Sequence, residues 1–193
     1  MHRRRILRGA AGTAAGLVVP APVRGVDAPS AGTDSAHARW ARASPANYTV
    51  PGGVAPRRVD RVVVHVTQQT FTQTIGIFQN PANRVSVHYL VRSGDGYTVQ
   101  CVRERDIAWH AGAWDHNVRS IGIEHEGWVD RPEYFTAAMY ERSARLTADI
   151  CDRHGIPRDR THIIGHYEVP GTDHTDPGPL WDWDRYLGLV RLA

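Results

Sequence analysis

Val62-Val63-Val64-His65-Val66 (VVVHV, residues 62–66) is a run of β-branched residues interrupted by one imidazole. A half-solvated strand would alternate polar and apolar residues. This run does not, so it reads as a strand buried on both faces, as in parallel sheets covered by helices. The histidine is then the anomaly. A polar ring in an apolar strand needs a partner, either inside the core or as a ligand.

Outward from this strand the chain alternates. Residues 68–79 predict a short helix ended by Pro81. Residues 86–92 (SVHYLVR) and 97–102 (YTVQCV) read as strands joined by the turn Ser93-Gly94-Asp95-Gly96. Residues 120–126 (SIGIEHE) read as a further strand. The longest helix is expected to open near Pro132, just after Asp130, and to close at Gly155, with Phe135, Met139, Leu146 and Ile150 on one face. Residues 161–165 (THIIG) form a last short strand. The order β-α-β-β-β-α-β predicts an α/β domain: a mixed central sheet with helices on its faces. No internal repeat is visible.

Of 193 residues, Lys and Arg number 23 and Asp and Glu 20, a formal charge of +3. Residues 1–28 hold five Arg and one Asp, so the remainder carries 18 basic against 19 acidic residues. The basic excess belongs to the start of the chain, which argues against a nucleic-acid partner. There Arg3-Arg4-Arg5-Ile6-Leu7-Arg8 precedes a weakly apolar run ending in Val26-Asp27-Ala28. Basic, apolar, small is the order of an export signal, here of twin-arginine type over residues 1–28. The apolar run is too short and too rich in Gly and Ala to span a membrane. Residues 29–57, rich in Ala, Ser, Pro and Gly, are expected to be a flexible linker, leaving 58–193 as a single folded domain. Cys101 and Cys151 form no Cys-x-x-Cys pair; an exported chain could bridge them or bury them as thiols.

His65 ends the first buried strand, His166 follows the last one, and Asp176 lies ten residues further on. Two imidazoles and a carboxylate suit a catalytic zinc site, in which three protein ligands leave a fourth position open. The loop HYEVPGTDHTDPGPLWDW (166–183) has no regular period; Pro170, Pro177 and Pro179 stiffen it, and Trp181 and Trp183 are expected to pin its far end.

Four stretches, taken together, resemble the type-2 N-acetylmuramoyl-L-alanine amidases: VVVHVT (62–67), SVHYLV with its Gly-Asp-Gly turn, AWHAG (108–112) with SIGIE (120–124), and IIGHYEVPG…HTDPGP. The resemblance covers about residues 62–183. It implies the fold shared with phage amidase endolysins and peptidoglycan-recognition proteins. It also implies one Zn²⁺ per chain, held by His65, His166 and Asp176, with Glu124 as the catalytic carboxylate. His174 stands where the family commonly has a Lys that stabilises the transition state. Val87 stands where some members carry a catalytic Tyr; the branch without that Tyr uses the SIGIE glutamate, which is present here. AWHAG implies a groove wall in which Trp109 and His110 contact glycan or peptide stem, with Asn117 and Arg84 as further substrate-binding candidates. His88 is expected to be structural, and His125 to face away from Glu124.

The implied protein is an exported monomeric zinc amidase, secreted or wall-associated, acting on peptidoglycan or muropeptides. The alternative, a peptidoglycan-recognition module without activity, would require a missing ligand, and all three are present.

Overall fold

The computed structural model describes residues 32–53 and 57–193. The expected export signal at residues 1–28 lies outside them. The VVVHV run forms β3 (Arg61–Val66), which pairs in parallel with β7 (Ser120–His125) on one side and β8 (Ile163–Gly165) on the other. Beyond β7 lie β4 (Tyr89–Val91), parallel to it, and β5 (Thr98–Gln100), antiparallel to β4 across the Ser93–Gly96 turn. The short β1 (Arg39–Trp40) completes a six-stranded mixed sheet in the order β1-β5-β4-β7-β3-β8. Two further strands, β2 (Tyr48–Thr49) and β6 (Ile107–Ala108), form a separate antiparallel pair.

Alternation along β3 and β7 sorts side chains onto two faces. Val62, Val64, Val66, Ile121 and Ile123 enter one core with Met139, Leu146 and Ile150 of α3 (Ala137–His154) and Tyr186, Leu187 and Val190 of α4 (Trp183–Leu192). The opposite face carries Leu90 and Val99 beneath Phe71 and Phe78 of α1 (Phe71–Gln79). On that face Val63, His65, Gly122 and Glu124 are left for other uses. Among the described residues no helix is long and apolar enough to cross a membrane.

Two expectations shift in detail. Pro132 opens only a 3-10 turn, Pro132–Tyr134. Helix α3 starts later, where Thr136 accepts a hydrogen bond from the Met139 amide at 3.2 Å. A hydroxyl that satisfies an orphan amide is a stronger start signal than a proline. Helix α3 closes at Gly155, in left-handed conformation with φ 66°. Cys101 lies in the α1-side core and Cys151 in the α3-side core, both as buried thiols, so the sheet stands between them. Burial pushes both thiols up to about 12.

The expected linker, residues 29–57, needs correction wherever it is described. Residues 32–53 are packed into the fold. Ala43 and Tyr48 join the α1-side core, and buried Asn47 donates to the carbonyls of Phe78 and Asn80 at 2.8 and 2.9 Å. Asp34 accepts from the Glu104 amide (2.8 Å) and from Gln100 (2.5 Å). Ser35 donates to Asp149 of α3 at 2.7 Å. These anchors are side chain to backbone or side chain to side chain, so the Ala-, Ser- and Pro-rich composition does not announce them. The domain therefore begins well before Arg58. Arg57 itself is buried, donating to the carbonyls of Glu104, Asn117, Val118 and Ser120 at 2.7–3.1 Å. Burial pulls its guanidinium down to about 10, against the pull of Glu104 and Asp106.

Candidate functional site

β3 and β7 run in parallel register with His65 opposite Glu124. Both side chains therefore leave the sheet on the same face, the one α3 does not cover. β8 delivers the chain to the same place: Gly165 ends it and His166 follows in a 3-10 turn, His166–Glu168. A Cβ on Gly165 would stand 2.6 Å from the Tyr167 ring and 2.8 Å from Pro177 Cδ. Glycine is thus what lets the Asp176-Pro177 segment fold back against the strand end. Asp176 is held there by its own carbonyl, which accepts from the Tyr167 amide at 3.1 Å, and by Oδ2, which accepts from the Val66 amide at 3.3 Å.

His65, His166 and Asp176 converge, all buried, with one potential ligand atom from each lying within 4.8 Å of the others. His65 Nδ1 is 3.3 Å from Asp176 Oδ2, and His166 Nδ1 is 3.1 Å from Asp176 Oδ1. Two donors bound tetrahedrally to zinc at its usual nitrogen and oxygen distances stand about 3.3 Å apart, so the spacing fits. Burial disfavours the charged Asp176, but its hydrogen bonds with His166 and His65 outweigh that and hold its carboxyl well below the usual range. Burial lowers the His65 pKa, partly offset by Asp176. A deprotonated carboxylate with two imidazoles is the state in which this donor set binds a metal.

Glu124 borders the same cleft, of about 480 Å³, and its Oε2 is buried without a hydrogen-bond partner among the described residues. Burial, and secondarily the charge of Asp176, push its pKa well above the ordinary carboxylate value. A solitary, desolvated carboxyl beside a metal-type donor set has the character of a proton carrier. His174 lies above the cluster, its ring stacked on His166 with centroids 4.2 Å apart and its Nδ1 3.5 Å from Asp176 Oδ1. Its side chain is 59% exposed, so it can meet a ligand arriving from solvent.

The substrate-binding candidates divide. Trp109 and Arg84 form one wall: the Arg84 guanidinium lies 4.7 Å from the indole centroid, and Trp109 Nε1 donates to Thr49 Oγ1 at 3.0 Å. His110 and Asn117 also border the cleft, but their polar atoms are engaged internally. Asn117 Oδ1 accepts from the amides of His110 and Ala111 at 3.0 and 2.8 Å. His110 Nδ1 is 2.9 Å from His65 Nε2, and burial lowers its pKa well below the usual histidine value. His125 faces the α3 side, beside Ser143 and Trp181. Buried His88 accepts at Nδ1 from the Gly122 amide (3.0 Å), and its Nε2 faces the Asp106 carbonyl (3.2 Å), a structural role.

Sequence reasoning missed Gln68, which lines the cleft with φ 55°; Arg84, opposite, has φ 53°. Left-handed backbone at two non-glycine residues marks local strain of the kind found at functional sites. Neither residue type signals it in advance.

Comparison with known proteins agrees with this geometry. Residues 55–179 match the family model described as N-acetylmuramoyl-L-alanine amidase. The chain is 36% identical over 175 residues to N-acetylmuramoyl-L-alanine amidase A of Achromobacter lyticus, covering 82% of this chain and 96% of that protein. It is 39% identical over 116 residues to the 1,6-anhydro-N-acetylmuramyl-L-alanine amidase AmpD of Salmonella typhimurium, covering 57% of this chain and 59% of that relative. Among solved structures, AmiD from E. coli, in complex with anhydro-N-acetylmuramic acid-L-Ala-D-gamma-Glu-L-Lys, superposes with a TM-score of 0.60 at 26% identity, over 72% of this chain and 60% of that one.

Proposed function

The chain belongs to the N-acetylmuramoyl-L-alanine amidase family, and from that premise we propose that it is an exported, zinc-dependent hydrolase of the amide between N-acetylmuramic acid and L-alanine in peptidoglycan or its fragments. The observation that carries this reading is the convergence of His65, His166 and Asp176 on one buried point beside the unpartnered Glu124.

In this reading His65 Nδ1, His166 Nδ1 and an Asp176 oxygen hold one zinc ion. When bound, zinc polarises the scissile carbonyl and brings the pKa of a water to about 7. Glu124 Oε2 accepts the proton of the attacking water and returns it to the departing alanine nitrogen. Its raised pKa suits the second step, because the protonated form must persist long enough to be given away. His174, exposed above Asp176, donates a hydrogen bond to the carbonyl oxygen as charge builds there. Trp109 offers an apolar face for a sugar ring, and Arg84 beside it a cationic donor for stem-peptide carbonyls or carboxylates.

The decisive experiment incubates the mature protein with purified sacculi and with soluble muropeptides, with and without chelator, and identifies products by mass spectrometry. Free stem peptide beginning at L-alanine, lost on chelation and restored by zinc, is expected. Release of disaccharide-peptide with the amide intact would overturn the assignment. Export through the twin-arginine route belongs to the same proposal. Its support is the order of residues 1–28, and replacing Arg3, Arg4 and Arg5 by Lys is expected to retain the protein in the cell.

A further inference from the structure

We infer that His110 is a positioning residue that fixes the metal-facing edge of His65 through a relay of hydrogen bonds with one permitted proton order. The relay starts at a group that cannot donate. The His116 carbonyl accepts from Ser120 Oγ at 2.5 Å. The Ser120 hydroxyl has one proton and commits it there, so toward His110 Nε2, 3.1 Å away, Ser120 Oγ can only accept. His110 Nε2 therefore carries the proton, and in a neutral ring His110 Nδ1 is an acceptor. The atom facing it at 2.9 Å is His65 Nε2, which must then be the donor. A neutral His65 with its proton on Nε2 presents a bare lone pair at Nδ1, the nitrogen 3.3 Å from Asp176 Oδ2.

Two acceptors facing each other are stable when a cation lies between them. The inference rests on the zinc site proposed above and adds to it what holds the first ligand in its binding tautomer. A partner on the distal nitrogen of a metal-bound imidazole ordinarily sets ring orientation and basicity. Here that partner is another imidazole rather than a carboxylate, so the relay adds no negative charge behind the ligand.

His110 is built to hold its place. The amides of His110 and Ala111 are tied to Asn117 Oδ1. The ring lies on Gly122 of β7, where a Cβ would be 2.6–2.8 Å from three ring atoms. His65 and His110 meet nearly edge to face, at 86° with centroids 5.0 Å apart, which turns His65 Nε2 toward the acceptor. The glycine of SIGIE and the histidine of AWHAG are thus two halves of one contact.

The test combines a spectrum with two variants. In ¹⁵N-labelled, zinc-loaded wild type, two-dimensional NMR should show His65 and His110 both as Nε2–H tautomers. A His110 carrying its proton on Nδ1 would overturn the inference without any mutation. His110→Leu fills the space without an acceptor, whereas His110→Asn restores one near the Nδ1 position. Zinc affinity, measured by chelator competition, should fall about 10–100-fold in His110→Leu and remain within the wild-type order of magnitude in His110→Asn. Equal losses in the two, or none in His110→Leu, would reduce His110 to a space-filler. His65→Ala is the reference. If it binds zinc as wild type does, the zinc reading itself fails. If it loses zinc while His110→Leu keeps it, only the relay fails. Should His110→Leu not fold, the wild-type spectrum decides alone.

Discussion

Gly122→Ala perturbs the site without touching any polar atom. The new methyl would lie 2.6 Å from His110 Cγ, 2.7 Å from Nδ1 and 2.8 Å from Cδ2. Carbon contacts are comfortable from about 3.5 Å, so the ring must retreat by roughly 0.7–0.9 Å. It cannot do so freely, because the His110 and Ala111 amides are bonded to Asn117. Overpacking of this kind costs about 1–3 kcal/mol, or roughly 4–8 °C in melting temperature for a cost near 2 kcal/mol in a domain of this size. A retreat of that size lengthens the 2.9 Å contact with His65 beyond hydrogen-bond range and loosens the first metal ligand. Misplacement by about 1 Å can cost on the order of 10²-fold in rate. The assay is kcat/KM on a soluble muropeptide by chromatography, beside a thermal melt of the same preparation. Wild-type turnover with an unchanged melt would show that the ring can move without consequence, and the reasoning from Gly122 to His65 would collapse.

Further outcomes are expected. Glu124→Gln should keep zinc and lose about 10²–10⁴-fold in turnover, read in the same assay; near-normal turnover would require a different proton carrier. Because the folded pKa of Glu124 is raised, its stabilising contribution is complete below the unfolded carboxyl pKa and is lost as pH rises through the folded value. After chelation, Glu124→Gln should therefore gain on wild type in urea melts as pH rises from about 4.5, and a pH-independent difference would contradict this. His65→Ala, His166→Ala and Asp176→Ala should each abolish stoichiometric zinc by elemental analysis. Arg57→Ala leaves four carbonyls without their donor and should cost at least about 3 kcal/mol by denaturant titration. Deleting residues 1–56 removes Tyr48, Asn47 and Asp34 together with Arg57's approach; a melt unchanged from the full domain would mean that residues 32–53 are dispensable after all.

The reacting side chains were legible because they sit where periodicity breaks: a histidine in a valine run, a glutamate closing Ile-Gly-Ile, a histidine after Ile-Ile-Gly. Such a break has to be explained by a partner, and the partners proved to be one another. What was not legible shares a different physics. Asp34, Ser35 and Asn47 hold the early segment by hydrogen bonds to groups far along the chain, and such bonds leave no repeat in the local sequence. Arg57 is a buried cation satisfied by four carbonyls rather than by a carboxylate, so no charge pattern predicts it. Helix α2 (Trp114–Arg119) has six residues and no side-chain cap, too short for a moment to show. Helix α4 was hidden because Trp181 and Trp183 were read only as pins; Tyr186, Leu187 and Val190 continue the same face for two more turns. His110 and Asn117 border the cleft as expected, yet their hydrogen bonds point inward, a distinction residue type does not encode.

Alternation along β3 and β7 also bears on how such a protein can change. Valines and isoleucines of one parity carry folding stability, while residues of the other parity meet the ligand. Substitutions that retune recognition around Trp109, Arg84 or the loop through His174 fall on the second parity and the loops beyond it, away from the α3–α4 core. A library restricted to those positions should sample new specificities with few unfolded members. One spread over both parities should spend most of its diversity on insoluble protein. The pleat of two neighbouring strands is, in this sense, a partition between what selection can explore and what it must leave alone.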